Sequence, residues 1–281
     1  MTVLIAGCGD LGTEVGLRLV ALGQNVVGLR RNAGLLPAAL TGQSVDLSRQ
    51  RPEVPADTDL VIVAIAAGNP DPAVYRAAYV TGLANLLDAL DAAQVTPRRF
   101  LMVSSTAVYD VNDGSTVDEE TPANPGPGTD AILLEAEQLL RSRIPSAVVL
   151  RLGGIYGPGR ERLIDQVRAG RATLAARDRL TNRIHRDDAA AMIVHLLCRA
   201  KAPDPLYLGV DSTPVPAAEV LAFLAAELGL QEPEIVETGS RRGGDKRVSN
   251  RRILETGFSF SYPSYREGYR AVLAGQAVRH P

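Results

Sequence analysis

Hydrophobic positions in the first half of the chain alternate between two rhythms. Short, apolar, β-branched runs at Val3–Ala6, Asn25–Leu29, Gln43–Asp46, Leu60–Ala66, Arg99–Ser104 and Ala147–Leu152 predict strands covered on both faces. Between them the period lengthens to that of a helix. Helices are predicted at Leu11–Leu22, which Gly23 stops, and at Ala73–Ala93, Asp130–Ser142 and Asp188–Ala200. In the second of these, Val80, Leu83, Leu86, Leu87 and Leu90 trace an i, i+3, i+4, i+7 stripe. Strand–helix alternation of this kind predicts an α/β fold with a doubly wound parallel sheet and right-handed crossovers.

The rhythm changes after about residue 152. Elements shorten, Pro203, Pro205, Pro214 and Pro216 interrupt the chain, and peripheral amphipathic helices are predicted around Pro216–Leu228 and Ser264–Ala274. The expected division is a main domain of residues 1–152 plus about 183–202. Residues 153–182 plus 203–281 would form a smaller, interleaved lobe. The Pro/Gly-rich stretch Glu119–Thr129 reads as an exposed loop.

Chemistry first enters at Gly7-Cys8-Gly9-Asp10-Leu11-Gly12, between the first strand and the first helix. Three glycines there allow a tight turn, a close approach of the backbone to phosphate, and close helix–strand packing. The helix start adds free amides and a positive dipole end for an anion. The pattern is that of a Rossmann-type dinucleotide site, so Gly7, Gly9, Asp10, Leu11 and Gly12 are candidate cofactor-binding residues. The second strand ends in Arg30-Arg31, about 20 residues further on, where a 2′-phosphate is met by cations and a free 2′-hydroxyl by an acid. Two guanidinium forks favour NADP over NAD. Asp46 and Leu47, after the third strand, are candidates for the adenine side, with a helix-capping role for Asp46 as the alternative.

Composition narrows the picture. The 281 residues are 46% hydrophobic with a formal net charge of −2, which gives no electrostatic reason to expect nucleic acid. No apolar run suggests a membrane span, and the first strand begins directly after Met1, leaving no room for a signal peptide. Cys8 and Cys198 make neither a disulfide framework nor a metal cluster, so no metal is expected and a cytoplasmic location is. All basic residues except Lys201 and Lys246 are arginines. Any proton donor that must be a lysine has two candidates.

Several segments in order resemble the extended short-chain dehydrogenase/reductase family, of the NAD-dependent epimerase/dehydratase type. They are Gly7–Gly12, Ala64–Ala67, Gly82–Leu87, Val103–Tyr109, Arg151–Gly159, Asn182–Asp188 and the run from Lys246 to Gly268. The segment Arg151-Leu152-Gly153-Gly154-Ile155-Tyr156-Gly157-Pro158-Gly159 is the most diagnostic. This resemblance implies hydride transfer involving a nicotinamide near Gly153–Gly154, further cofactor contacts at Ala66 and Ala67, and a substrate oxygen held by Ser105 with Thr106 beside it. It implies a small-molecule substrate in the smaller lobe and, by analogy, a homodimer through the Ala73–Ala93 and Asp130–Ser142 helices. The family's Tyr-x-x-x-Lys pair is missing. Thr129 stands at the tyrosine position and Leu133 at the lysine position, and 111–155 contains neither residue type. Tyr79 stands where the family often has an asparagine.

The chain therefore resembles an atypical member. Tyr109, Tyr156 and Asp130 are possible replacement bases, against packing roles for the tyrosines and an N-cap role for Asp130. His185 is expected to anchor the loop into the Asp188 helix, with Asp187 or Asp188 capping it. The cluster Arg241–Arg247 could receive an anionic group or lie solvated. Two functions follow: an NADP(H)-dependent oxidoreductase or epimerase-like enzyme on a carbonyl or sugar-type substrate, or a non-catalytic NADP(H)-binding sensor.

Overall fold

The computed structural model describes residues 1–175, 179–236 and 244–281. Its centre is a seven-stranded sheet of β1 (Thr2–Ala6), β2 (Asn25–Arg30), β3 (Thr41–Ser44), β4 (Thr58–Val63), β5 (Arg99–Ser105), β6 (Val148–Leu152) and β7 (Leu206–Gly209). All pairings are parallel, in the order β7-β6-β5-β4-β1-β2-β3. The order reverses between β1 and β4, so a crevice opens at their carboxyl ends, beside the glycine turn.

Each face of the sheet has its own core. Val3, Ile5, Ile62 and Leu101 pack against α1 (Asp10–Ala21) and the helix Arg186–Cys198. Leu4, Val61, Val63 and Met102 pack against the helices Gly82–Ala92 and Thr129–Arg143, through Leu83, Leu86, Leu87, Leu90, Ala136 and Leu140. A third core joins Tyr156, from the strand Gly154–Tyr156, to Ile164, Phe223, Leu224, Tyr265 and Tyr269 from the helices Arg162–Arg168, Ala217–Leu228 and Tyr265–Leu273. The strand Arg183–His185 runs parallel to Gly154–Tyr156 and leads directly into the helix Arg186–Cys198.

Four local expectations are corrected. β4 was expected to continue to Ala66 but ends at Val63, since after the Ala64 N–H bond to Ala6 the chain must pass over Gly7. β3 lies two residues earlier than its apolar pattern suggested, because pairing with β2 sets its register and its outer edge is unpaired. The helix expected at Ala73–Ala93 runs without interruption from Pro72 to Ala92, but Arg76–Thr81 within it is a wide π segment, flanked by α-helical Pro72–Tyr75 and Gly82–Ala92. Such wide turns concentrate at functional sites, and this one carries Tyr79. Finally, Leu206–Gly209 is a sheet strand that the proline-broken pattern around it concealed.

Candidate functional site

Gly7 and Gly12 are required by the protein itself. Gly7 has φ +85°, and a Cβ there would lie 2.7 Å from the Ala64 carbonyl oxygen; one on Gly12 would lie 2.7 Å from the Gly7 oxygen. Gly9 is different. A Cβ there would meet nothing within 4 Å, so its face opens outward. Gly9 is the N-cap of α1 and offers no side-chain cap, and the Asp10 and Leu11 amides find no backbone or side-chain acceptor among the described residues. An open glycine face beside two unsatisfied amides, at the positive end of a helix, fits a dinucleotide pyrophosphate.

The Asp10 carboxylate has other partners. It accepts from Arg160 Nε at 2.9 Å and Arg186 Nη1 at 2.7 Å, tying α1 to the loop after Gly154–Tyr156 and to the start of the helix Arg186–Cys198. Arg30 is half-buried and Arg31 exposed, both at the end of β2. Asp46 accepts from the Ser48 amide and hydroxyl, which holds its carboxyl below the usual range; it closes a turn rather than capping a helix. The Leu47 carbonyl accepts from Asn85 Nδ2. Ala66 is exposed and Ala67 half-buried beyond β4. Gly154 is exposed opposite Arg183. Cys8 is fully buried against Gly28, and burial pushes its thiol up to about 11, as suits a filler.

Ser105 ends β5 at the same carboxyl edge. Its Oγ accepts from the Ala107 amide at 3.1 Å, capping the 3₁₀ turn Thr106–Val108 and leaving its O–H to donate. Thr106 beside it is buried. Behind Ser105 lies a buried network not anticipated from sequence. Glu137 accepts from Ser104 Oγ at 2.6 Å and from Arg151 Nε and Nη2 at 3.0 and 2.6 Å, while the Arg151 guanidinium lies 4.8 Å from the centre of the Tyr109 ring. The available signal was an acid four residues after Leu133, on the apolar face of its helix.

Leu133 is buried with Val108, Tyr109, Val117, Leu208, Val210 and Val248. Neither fallback tyrosine is disposed to be a base. The Tyr109 hydroxyl donates to the Asp118 carbonyl and burial raises its pKa. Burial, followed by the Asp211 charge, raises that of Tyr156 further, and its hydroxyl has no partner among the described residues, contrary to the expected backbone bond. Asp130 is not an N-cap: Gly128 holds that position, with Asp130 in the first turn. Lys246 is buried, its Nζ donating to the Tyr109 carbonyl at 2.7 Å. Burial lowers its pKa, opposed by Asp130 and Asp110. The scarcity of lysine was the signal that could have singled it out.

His185 is structural, though not in the expected way. It is itself the N-cap, Nδ1 accepting from the Asp187 amide, while Asp188 accepts from the Ser261 and Tyr262 amides. Burial pushes the imidazole down to about 4, and a proton on Nδ1 would break the cap. Nearby, Tyr156 Oη, Arg183 Nη1, His185 Nε2 and Asp211 Oδ2 are buried without hydrogen-bond partners among the described residues, and burial pushes Asp211 up to about 7. Residues 241–243 of the basic cluster lie outside the described residues. Among the described residues no group of acids, histidines and cysteines could hold a metal ion, and no helix is long and apolar enough to cross a membrane.

Residues 7–199 match a family described as NAD(P)H-binding. The chain is 29% identical to a 3-diazoavenalumate denitrifying reductase of Streptomyces sp., over 95% of this chain and 99% of that protein. A solved structure from Methylobacillus flagellatus, described as a candidate NAD-dependent epimerase/dehydratase, is 37% identical over 98% of each chain with TM-score 0.81. UDP-glucuronic acid 4-epimerase of Bacillus cereus, solved with UDP-glucuronic acid and NAD, shares the fold at 18% identity, over 96% of this chain and 97% of that one, with TM-score 0.82.

Proposed function

The chain belongs to the NAD(P)H-binding family, within the epimerase/dehydratase type of short-chain dehydrogenases/reductases, and on that premise we propose that it is an NADP(H)-dependent oxidoreductase acting on a carbonyl or sugar-type substrate. The observation that carries this reading is the open face of Gly9 beside the unspent Asp10 and Leu11 amides, with the arginine pair at the end of β2. The cofactor, when bound, supplies or accepts the hydride. Asp10 and Leu11 hold its pyrophosphate through their amides, Arg30 and Arg31 hold the 2′-phosphate, and Ala66, Ala67 and Gly154 border it. Ser105 donates its O–H to the substrate oxygen. Lys246, whose ammonium is anchored on the Tyr109 carbonyl and made more acidic by burial, stands in for the missing lysine of the pair.

Burial of Leu133 in an apolar cluster favours a second reading, in which the chain binds NADP(H) and reports its occupancy without turnover. Two measurements separate the readings. Fluorescence titration is expected to give tighter binding of NADPH than NADH; equal binding, or an NADH preference, removes the arginine argument. Hydride-labelled NADPH incubated with carbonyl and sugar-nucleotide substrates is expected to lose label, at a rate reduced about 10²-fold or more by Ser105→Ala. Tight binding with no label loss across the panel favours the sensor.

A further inference from the structure

The last residues of the chain return to the head of α1. Beyond the helix Tyr265–Leu273, the stem of Arg279 packs so closely on Gly159 that a Cβ there would lie 2.0 Å from its Cδ. Arg186 Nη2 donates to the Val278 carbonyl at 2.8 Å. The His280 amide donates to Asp10 Oδ1 at 3.3 Å, and its Nε2 is 2.8 Å from Glu14 Oε2. Arg30 Nη1 donates to a main-chain oxygen of Pro281 at 2.9 Å. Within two consecutive residues the segment thus spans from the first turn of α1 to the end of β2. A 2′-phosphate on a bound dinucleotide would claim the Arg30 end of this span, where Pro281 sits.

The attachment is of a kind that a ligand can displace. Residues 276–279 and 281 are exposed and Val278 is 72% exposed, so hydrogen bonds rather than apolar burial hold the segment down. Ala277 adopts φ +70°, a left-handed conformation unfavourable for a residue with a Cβ. Arg30 meets a single main-chain oxygen of Pro281 through one nitrogen, whereas a phosphate, carrying close to two negative charges and three acceptor oxygens, would make a two-pronged contact with the same guanidinium.

We infer that residues 278–281 form a strap competing with the cofactor's 2′-phosphate for Arg30, and so set the affinity for NADPH relative to NADH. The inference rests on the NADP reading above. NADPH must lift Pro281 from Arg30 to be held there. NADH, with a hydroxyl at that position, leaves the strap in place. The strap therefore weakens NADPH binding selectively, by the cost of the bond it exchanges.

The test is titration of NADPH and NADH against the full chain and a chain ending at Gln276. Truncation is expected to tighten NADPH binding about five- to twenty-fold and to change NADH binding less than two-fold. In the full chain, Arg30→Ala should weaken NADPH binding, and in that background truncation should have no further effect. Thermal melts check that the shortened chain is folded. If it is not, trypsin cleavage after Arg279 in the intact chain gives the second readout, expected to accelerate with NADPH but not with NADH. Unchanged or weaker NADPH binding after truncation, or cleavage indifferent to NADPH, overturns the strap alone. Failure of every form to bind NADPH overturns the NADP reading itself.

Discussion

At Gly7 and Gly9 the same substitution meets opposite surroundings. Gly7→Ala places a methyl group against the backbone of Ala64 and Ile65 at positive φ, and is expected to cost about 2 kcal/mol or more in unfolding free energy. Gly9→Ala points into open space at φ −88°, and should change stability by less than about 1 kcal/mol while weakening NADPH binding at least ten-fold. Urea unfolding and cofactor titration of both variants check the contrast; a Gly9→Ala protein that binds normally removes the pyrophosphate assignment. Asp211 and His185 make a second residue-scale case, because their titrations oppose each other. Asp211 is raised to about 7 in the fold, so its contribution is greatest below its unfolded value and is lost as pH rises through 7. His185 is lowered to about 4, so its contribution is present above 6.5 and lost as pH falls through 4. Between pH 4 and 7 the two slopes partly cancel. Asp211→Asn keeps the oxygen that accepts from the Thr213 amide and removes one slope, so its stability should fall more steeply than that of the parent protein on acidification. Urea midpoints measured across this range should diverge; parallel curves would refute the assignment.

The helix Thr129–Arg143 holds β5 and β6 at the site by a charge rather than by apolar packing alone. Glu137 is 1% exposed and bridges Ser104 on β5 to Arg151 on β6. Its replacement by alanine leaves the Arg151 guanidinium buried without a carboxylate, a change expected to cost about 3–5 kcal/mol. Arg151→Met together with Glu137→Leu should recover most of that loss, since an apolar pair of similar volume avoids the desolvation of both ions. Chemical denaturation of the single and double variants decides this, and a single variant as stable as the parent protein would show that the bridge carries little. The wide turn Arg76–Thr81 is the other feature decided at this scale. It widens the helix from Arg76 to Thr81 within a pattern that the local periodicity reads as uniform.

Across the whole molecule, the alternating strands and helices, the parallel sheet and the glycine turn were legible in sequence, because each depends on residues close together along the chain. Apolar runs choose buried strands, a 3.6-residue period chooses a helix face, and three glycines within six positions shape the turn on their own. Tertiary structure decided what sits around the turn. It brought Lys246 to the Tyr109 carbonyl from 137 residues away, put Glu137 between two strands, and buried one polar atom each of Tyr156, Arg183, His185 and Asp211 without a hydrogen-bond partner among the described residues. It also laid His280 and Pro281 on Asp10 and Arg30. Local pattern records which way a side chain faces. Only the packed chain determines which distant group it meets there, and the cost of desolvating a charge, which sets its acidity, follows from that company.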